Sequence, residues 1–212
     1  MCCGSGSHSL PLAEMGFQVT GVDLSPVLIQ KAKVKARLKK QKIKFISGDV
    51  LQMQKRESFE GVTLLGSTLS IAQVYARFPE FLSAAQAALV PGGFFIFDLV
   101  IGDNFKKLPD KPLRYGLENG VAGELSIQGK RAKQGIYELE YHWKIQKPGT
   151  IKPILMIARE ELVFVRAEKF CQTLDGSHQG FKVQSLLRDY DARKVYRKGD
   201  PNLVVVMKKC LQ

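Results

Sequence analysis

Apolar positions in the first half of the chain alternate between two textures. Short β-branched or aromatic runs, Gln18–Val22, Ile43–Ser47, Gly61–Leu65 and Phe94–Leu99, have the length and content of strands. Stretches with helical spacing separate them. Ser7–Met15 can form a helix after a glycine-rich turn, closed by Gly16. Ser25 and Pro26 provide an N-cap and a first helical residue for a segment reaching about Gln41, where Leu28, Ile29, Ala32 and Ala36 make one apolar stripe. A third segment, from Phe78 to about Val90, collects Phe78, Phe81, Leu82, Ala85 and Leu89 on one side and stops at Pro91-Gly92-Gly93. This alternation predicts an α/β fold, a doubly wound and mostly parallel sheet covered by helices.

From Val121 the texture changes. Glu124–Gln128, Ile136–Ile145 and Pro153–Val165 are long extended runs between Gly-containing or Pro-Gly turns, which predicts an inserted antiparallel meander. A helical segment near Ala167–Leu174, a turn at Asp175-Gly176 and two last strands, Phe181–Leu187 and Leu203–Lys208, complete the pattern. The segment 109–120, with Pro109, Pro112, Gly116 and Gly120, reads as a linker. One domain in three parts is expected: 1–108, the meander 109–166, and 167–212.

Composition narrows the class. A chain of 212 residues with 45% apolar content can bury one real core. No apolar run approaches the roughly 20 residues that span a bilayer, and the start lacks a secretory pattern, so a cytoplasmic protein with no membrane partner is expected. Cys2, Cys3, Cys171 and Cys210 match no zinc or redox spacing, and no metal is expected. The net charge of +12 favours an acidic partner, such as nucleic acid, a phosphorylated metabolite or an anionic surface. Much of it is local: Lys31, Lys33, Lys35, Arg37, Lys39, Lys40, Lys42 and Lys44 crowd one stretch, mostly off the apolar stripe. That pattern reads as a solvated helix face ahead of a nucleic-acid patch.

The chemistry begins at Cys3-Gly4-Ser5-Gly6-Ser7-His8-Ser9. Two glycines with one residue between them allow a tight turn and close approach of a ligand, and the following helix offers unpaired N–H groups. Asp23, ending the next strand, can accept from both hydroxyls of a ribose. Asp49, in Gly48-Asp49-Val50, can accept from an adenine amino group, with the next backbone N–H facing a ring nitrogen. Two carboxylates ending consecutive strands suit an adenosine without pyrophosphate. A nicotinamide dinucleotide fits less well, because Ser9 stands where its third glycine is expected.

In order and spacing, Cys3-Gly4-Ser5-Gly6, Val19-Thr20-Gly21-Val22-Asp23-Leu24-Ser25-Pro26, Gly48-Asp49-Val50 and Pro91-Gly92-Gly93 resemble the successive motifs of class I S-adenosylmethionine-dependent methyltransferases. The meander and the tail, Gly180-Phe181-Lys182-Val183 through Pro201-Asn202-Leu203-Val204-Val205-Val206, resemble members with an inserted antiparallel sheet and a final strand pair. The resemblance implies a Rossmann-like sheet of order 3-2-1-4-5-7-6 and S-adenosylmethionine as cofactor. It places Gly4 and Gly6 at the methionine part, Asp23 at the ribose, Asp49 with Val50 at the adenine, and Gly66 and Ser67 beside the methionine end and the methyl group, with Cys3 and Leu24 also among the cofactor-binding residues. It further implies an acidic first strand ahead of the glycine loop. Met1 stands where that strand would end, so a fragment or mis-assigned start of a longer enzyme, a naturally shortened relative, or a strand recruited from a partner are the expectations for the start.

The cofactor's sulfonium already activates the methyl group, so no protein nucleophile is required. No catalytic base stands out among His8, His142, His178, Tyr75 and Tyr141. Leu65-Gly66-Ser67-Thr68-Leu69 is not the Asn/Asp-Pro-Pro-aromatic box of base-amino methylases, and neither Cys171 nor Cys210 has the setting of cytosine-C5 enzymes. A small-molecule acceptor walled by the meander is therefore expected. An RNA or protein acceptor docked on the basic helix, and an inactive binding protein of this fold, are the alternatives.

Overall fold

The computed structural model describes residues 1–53, 56–102, 111–116, 120–133, 135–176 and 180–211. Its first half carries α1 (Ser9–Glu14), β1 (Thr20–Asp23), α2 (Pro26–Leu38), β2 (Lys44–Ser47), β3 (Phe59–Leu64), α3 (Ala72–Ala76), α4 (Phe78–Ala88) and β4 (Leu89–Val100). The second half carries β5 (Leu113–Gly116), β6 (Ala122–Lys133), β7 (Ile136–Gln146), β8 (Ile154–Val163), α5 (Ala167–Gly176), β9 (Phe181–Leu187) and β10 (Asn202–Lys209).

The parallel pair β1-β2 and the sheet β3-β4-β10-β9 reproduce the two ends of the order 3-2-1-4-5-7-6. β3 runs parallel to β4, whereas β10 is antiparallel to both β4 and β9. β1 and β3 do not pair with each other. Residues 1–3 pass between them: the Cys3 N–H donates to Val22 O at 2.9 Å, and the Met1 ammonium donates to Thr63 O at 2.7 Å. A small cavity of about 30 Å³ beside this segment is bounded by Met1, Cys2, Leu12, Thr20 and Thr63.

Alternation along β4 explains the main core. Phe95, Phe97, Leu99 and Ile101 face α4 and α5, where they meet Phe78, Phe81, Phe170 and Leu174. Leu203, Val205 and Met207 of β10 extend the same surface. Each such large side chain contributes about 1.5–3 kcal/mol when taken from water. The opposite layer is smaller, with Leu10, Ile29, Ala32, Ala36 and Phe45 packing α1 and α2 onto the parallel pair. Three members of the stripe read from the sequence, Ile29, Ala32 and Ala36, are buried in it. Ser25 caps α2 as expected, its Oγ accepting from Leu28 N at 3.3 Å.

The meander forms a separate antiparallel sheet, β5-β6-β7-β8. Bridges Ile71 to Leu162 and Ile101 to Val165, with the Gly102 N–H donating to Val165 O at 2.9 Å, dock it at the carboxyl end of β4 and against α3.

Three expectations need correction. The linker 109–120 contains a strand, since Leu113–Gly116 pairs with Ala122–Leu125; a short polar-flanked run of this kind carries little strand signal of its own. Pro91-Gly92-Gly93 does not end the third helix, which stops at Ala88. It lies inside β4 at a register irregularity, where β3 skips from Leu89 to Phe94. Asp175-Gly176 closes α5 rather than forming a turn beyond it, because Leu174 still packs into the core and carries the helix on.

Candidate functional site

The glycine loop and the end of β1 are joined by one carboxylate. Asp23 Oδ2 accepts from Gly4 N at 2.7 Å, and Oδ1 accepts from Ser25 N at 2.9 Å. Asp23 is therefore not the cap of α2, a role taken by Ser25. Its side chain holds two loops in register while an ionised carboxylate retains further lone pairs. Gly4 has φ +54°, and no heavy atom lies within 4 Å of where a Cβ would stand, so the loop presents bare backbone to open space. Gly6 faces inward, where a Cβ would stand 3.3 Å from the Phe45 ring and 3.4 Å from Ala32. Cys3 packs against the smaller core, and burial pushes its thiol up to about 11, which keeps it protonated at neutral pH. Leu24 is 70% exposed beside Asp23.

Asp49 ends the second strand's loop. Its Oδ1 accepts from Leu51 N at 3.0 Å, capping a one-turn 3₁₀ helix, Val50–Gln52, and its Oδ2 lies 3.8 Å from Arg77 Nη1. Val50 packs on the main core. Of the two aspartates, Asp49 alone caps a helix.

Gly66 and Ser67 follow β3 as consecutive left-handed residues, φ +82° and +56°. Only glycine adopts this conformation freely, so the serine needs outside support. Asp98 provides it. This carboxylate is 3% exposed in β4 and accepts from Ser67 N through both oxygens, at 3.0 and 2.8 Å. Tyr190, in the loop between β9 and β10, donates its hydroxyl to Asp98 Oδ2 at 2.7 Å. Burial and the Asp98 hydrogen bond push the Tyr190 phenol up to about 12. The exposed ring of His8 lies 6.2 Å from the Tyr190 ring, and a Cβ on Gly66 would meet His8 Cε1 at 3.4 Å.

The structure thus gathers Gly4 with Asp23, and Gly66 and Ser67 with His8, at the carboxyl ends of the parallel strands, where open α/β sheets bind ligands. Asp98 and Tyr190 were not among the residues singled out in the sequence. A lone acid in the apolar run Phe94–Leu99 was the available signal, since a buried charge in such a strand has to be explained. The other candidates lie elsewhere. His142 Nε2 stands 2.6 Å from Glu140 Oε1 on the meander, and Tyr141 donates to Glu160 at 3.4 Å there. His178 lies outside the described residues. Among the described residues no cluster of three His, Cys, Asp or Glu could hold a metal, and no helix is long and apolar enough to cross a membrane.

The chain has the fold of class I S-adenosylmethionine-dependent methyltransferases, and its residues 1–93 match the model of a methyltransferase domain family. Over 97 residues it is 30% identical to a putative methyltransferase of Geobacillus sp. strain WCH70, covering 46% of this chain and 39% of that protein. Over 100 residues it is 30% identical to the putative methyltransferase YqeM of Bacillus subtilis strain 168, covering 47% and 40%. The matched region spans about two fifths of these curated relatives. Among solved structures, an S-adenosylmethionine-dependent methyltransferase from Clostridium acetobutylicum superposes over 99% of this chain and 82% of its own, with TM-score 0.78 and 17% identity. The sugar N-methyltransferase KedS8 from Streptoalloteichus superposes over 100% and 78%, with TM-score 0.73 and 18% identity. CalS10 from Micromonospora echinaspora, an amino pentose methyltransferase solved with S-adenosylmethionine bound, superposes over 98% and 80%, with TM-score 0.73 and 17% identity.

Proposed function

We propose that the chain binds S-adenosylmethionine across the ends of β1, β2 and β3 and transfers its methyl group to a small-molecule acceptor. The observation that carries this reading is the Asp23 clamp: one carboxylate fixes Gly4 while the open side of that glycine leaves room for a ligand to approach. In this reading Asp23 accepts from the ribose hydroxyls, Leu24 borders the ribose, and Asp49 with Val50 meets the adenine. Cys3, Gly4 and Gly6 take the methionine part, and Gly66 and Ser67 border the methyl group.

When bound, the cofactor supplies an already activated methyl group. The protein's share is to align the acceptor and keep water away. Asp98 acts as a positioning residue, because it fixes the left-handed Ser67 turn. The division into 1–108, 109–166 and 167–212 follows the same logic: a cofactor part, a meander that walls the acceptor, and a strand pair that supplies Tyr190. The sugar and amino pentose methyltransferases of the same fold support a small acceptor.

Calorimetry with S-adenosylmethionine and S-adenosylhomocysteine, followed by transfer of labelled methyl into a metabolite mixture, tests the proposal. Saturable binding of both and label in a small product are expected. Absence of binding by either compound overturns it.

A further inference from the structure

A cavity of about 670 Å³ lies between the meander and α5. Its volume is within the range of about 300–1,000 Å³ typical of small-molecule sites. Two aromatic pairs form its apolar part. Tyr75 of α3 and Phe170 of α5 have ring centroids 6.4 Å apart, and Tyr137 of β7 meets Phe164 edge-on at 4.9 Å.

Its polar part has one sign. Arg131 of β6 and Arg166 and Lys169 at the start of α5 line it, and none of the described residues that line it is acidic. Four cations on the same meander have carboxylate partners, Arg114 and Lys144 with Glu124, Lys130 with Glu138, and Arg159 with Glu140. Arg131, Arg166 and Lys169 make no ion pair with a described carboxylate; Glu168, which lies within electrostatic reach of Arg166, is paired with Lys198. Three like charges around one concavity repel each other and attract an anion. The aromatic walls favour a flat or apolar body.

We infer that this cavity binds an acidic small molecule, its phosphate or carboxylate held by Arg131, Arg166 and Lys169 and its ring or apolar body held against Tyr75 and Tyr137, which stand on buried Phe170 and Phe164. Gly102 places the cavity at the carboxyl end of β4, the end of the sheet at which Gly66 and Ser67 stand. The ligand is accordingly the methyl acceptor or the part of it that carries the charge, an assignment that rests on the function proposed above.

The test uses the full chain and three probes: phenyl phosphate, benzoate and benzyl alcohol, titrated by calorimetry with and without S-adenosylhomocysteine. At least one anion is expected to bind about tenfold or more tightly than the neutral alcohol, and to weaken as salt rises. The better anion separates a phosphate from a carboxylate ligand. In R166A/K169A, whose replaced side chains are exposed, anion affinity is expected to fall about tenfold while S-adenosylhomocysteine affinity stays the same. Equal binding of alcohol and anions, or unchanged anion binding by the double variant, overturns the inference. If S-adenosylhomocysteine binds and neither anion does, the cavity assignment alone fails. If an anion binds and S-adenosylhomocysteine does not, the methyltransferase reading fails and the anion site stands.

Discussion

Tyr190 donates to Asp98 Oδ2 at 2.7 Å, which ties the loop between β9 and β10 to the buried side of β4. The same carboxylate holds the backbone of Ser67 at the end of β3. One side chain therefore connects the loop between β9 and β10, the sheet and the left-handed turn. Replacing it by alanine leaves the Ser67 N–H without its acceptor and the turn without support. Asp98→Ala is expected to destabilise the fold by about 1–3 kcal/mol, read as a lower urea midpoint with unchanged slope.

The Tyr190 phenol has its own pH signature. Held at about 12, above the ordinary value of 10.0, it keeps its proton longer in the folded protein than in the unfolded chain. Its contribution to stability is full below about pH 10 and is lost as pH rises toward 12. Ultraviolet titration of the phenols should show a step near 12 that Tyr190→Phe removes, while Tyr75 and Tyr141, also pushed up by burial, remain above the ordinary value. In Asp98→Asn the phenolate no longer faces a carboxylate, so that late step should move down toward the ordinary range.

These groups also mark where reading the sequence stopped. The strands of the first half were legible because Gln18–Val22 and Ile43–Ser47 are bounded by glycine, serine and proline, which punctuate locally. Phe181–Leu187 matches its strand at both ends. The pairing of Asp98 with Tyr190 was not legible, because it joins residues far apart in the chain through sheet topology alone. Leu113–Gly116 was hidden for a related reason: its four residues are all exposed and become a strand only by pairing with β6. Gly4 and Asp23 were identifiable individually, whereas the hydrogen bond between them depends on the loop folding back over β1.

That hydrogen bond makes Asp23 doubly exposed to mutation. Asp23→Ala removes both the acceptor for Gly4 N and the proposed ribose contact. S-adenosylhomocysteine affinity is expected to fall by about tenfold or more, since loss of charged hydrogen bonds costs about 1.5–3 kcal/mol. Calorimetry on the folded variant measures it. An affinity equal to the parent's would remove Asp23 from the cofactor site and leave it as a loop clamp only.

Gly21 shows how tightly the layer beneath that site is packed. It lies in β1, and a Cβ there would stand 2.8 Å from two Phe45 ring atoms and 2.9 Å from Cys3 Sγ. Phe45 cannot withdraw easily, because it fills the core shared by α1 and α2. Gly21→Ala therefore forces ring and loop apart, and overpacking of this kind costs about 1–3 kcal/mol. Displacement of Cys3 would also move Gly4, its neighbour in the glycine loop. The expected outcome is a lower melting temperature together with weaker S-adenosylhomocysteine binding. The double variant Gly21→Ala with Phe45→Leu, which makes room for the added methyl, should regain part of both losses if crowding against Phe45 is their cause.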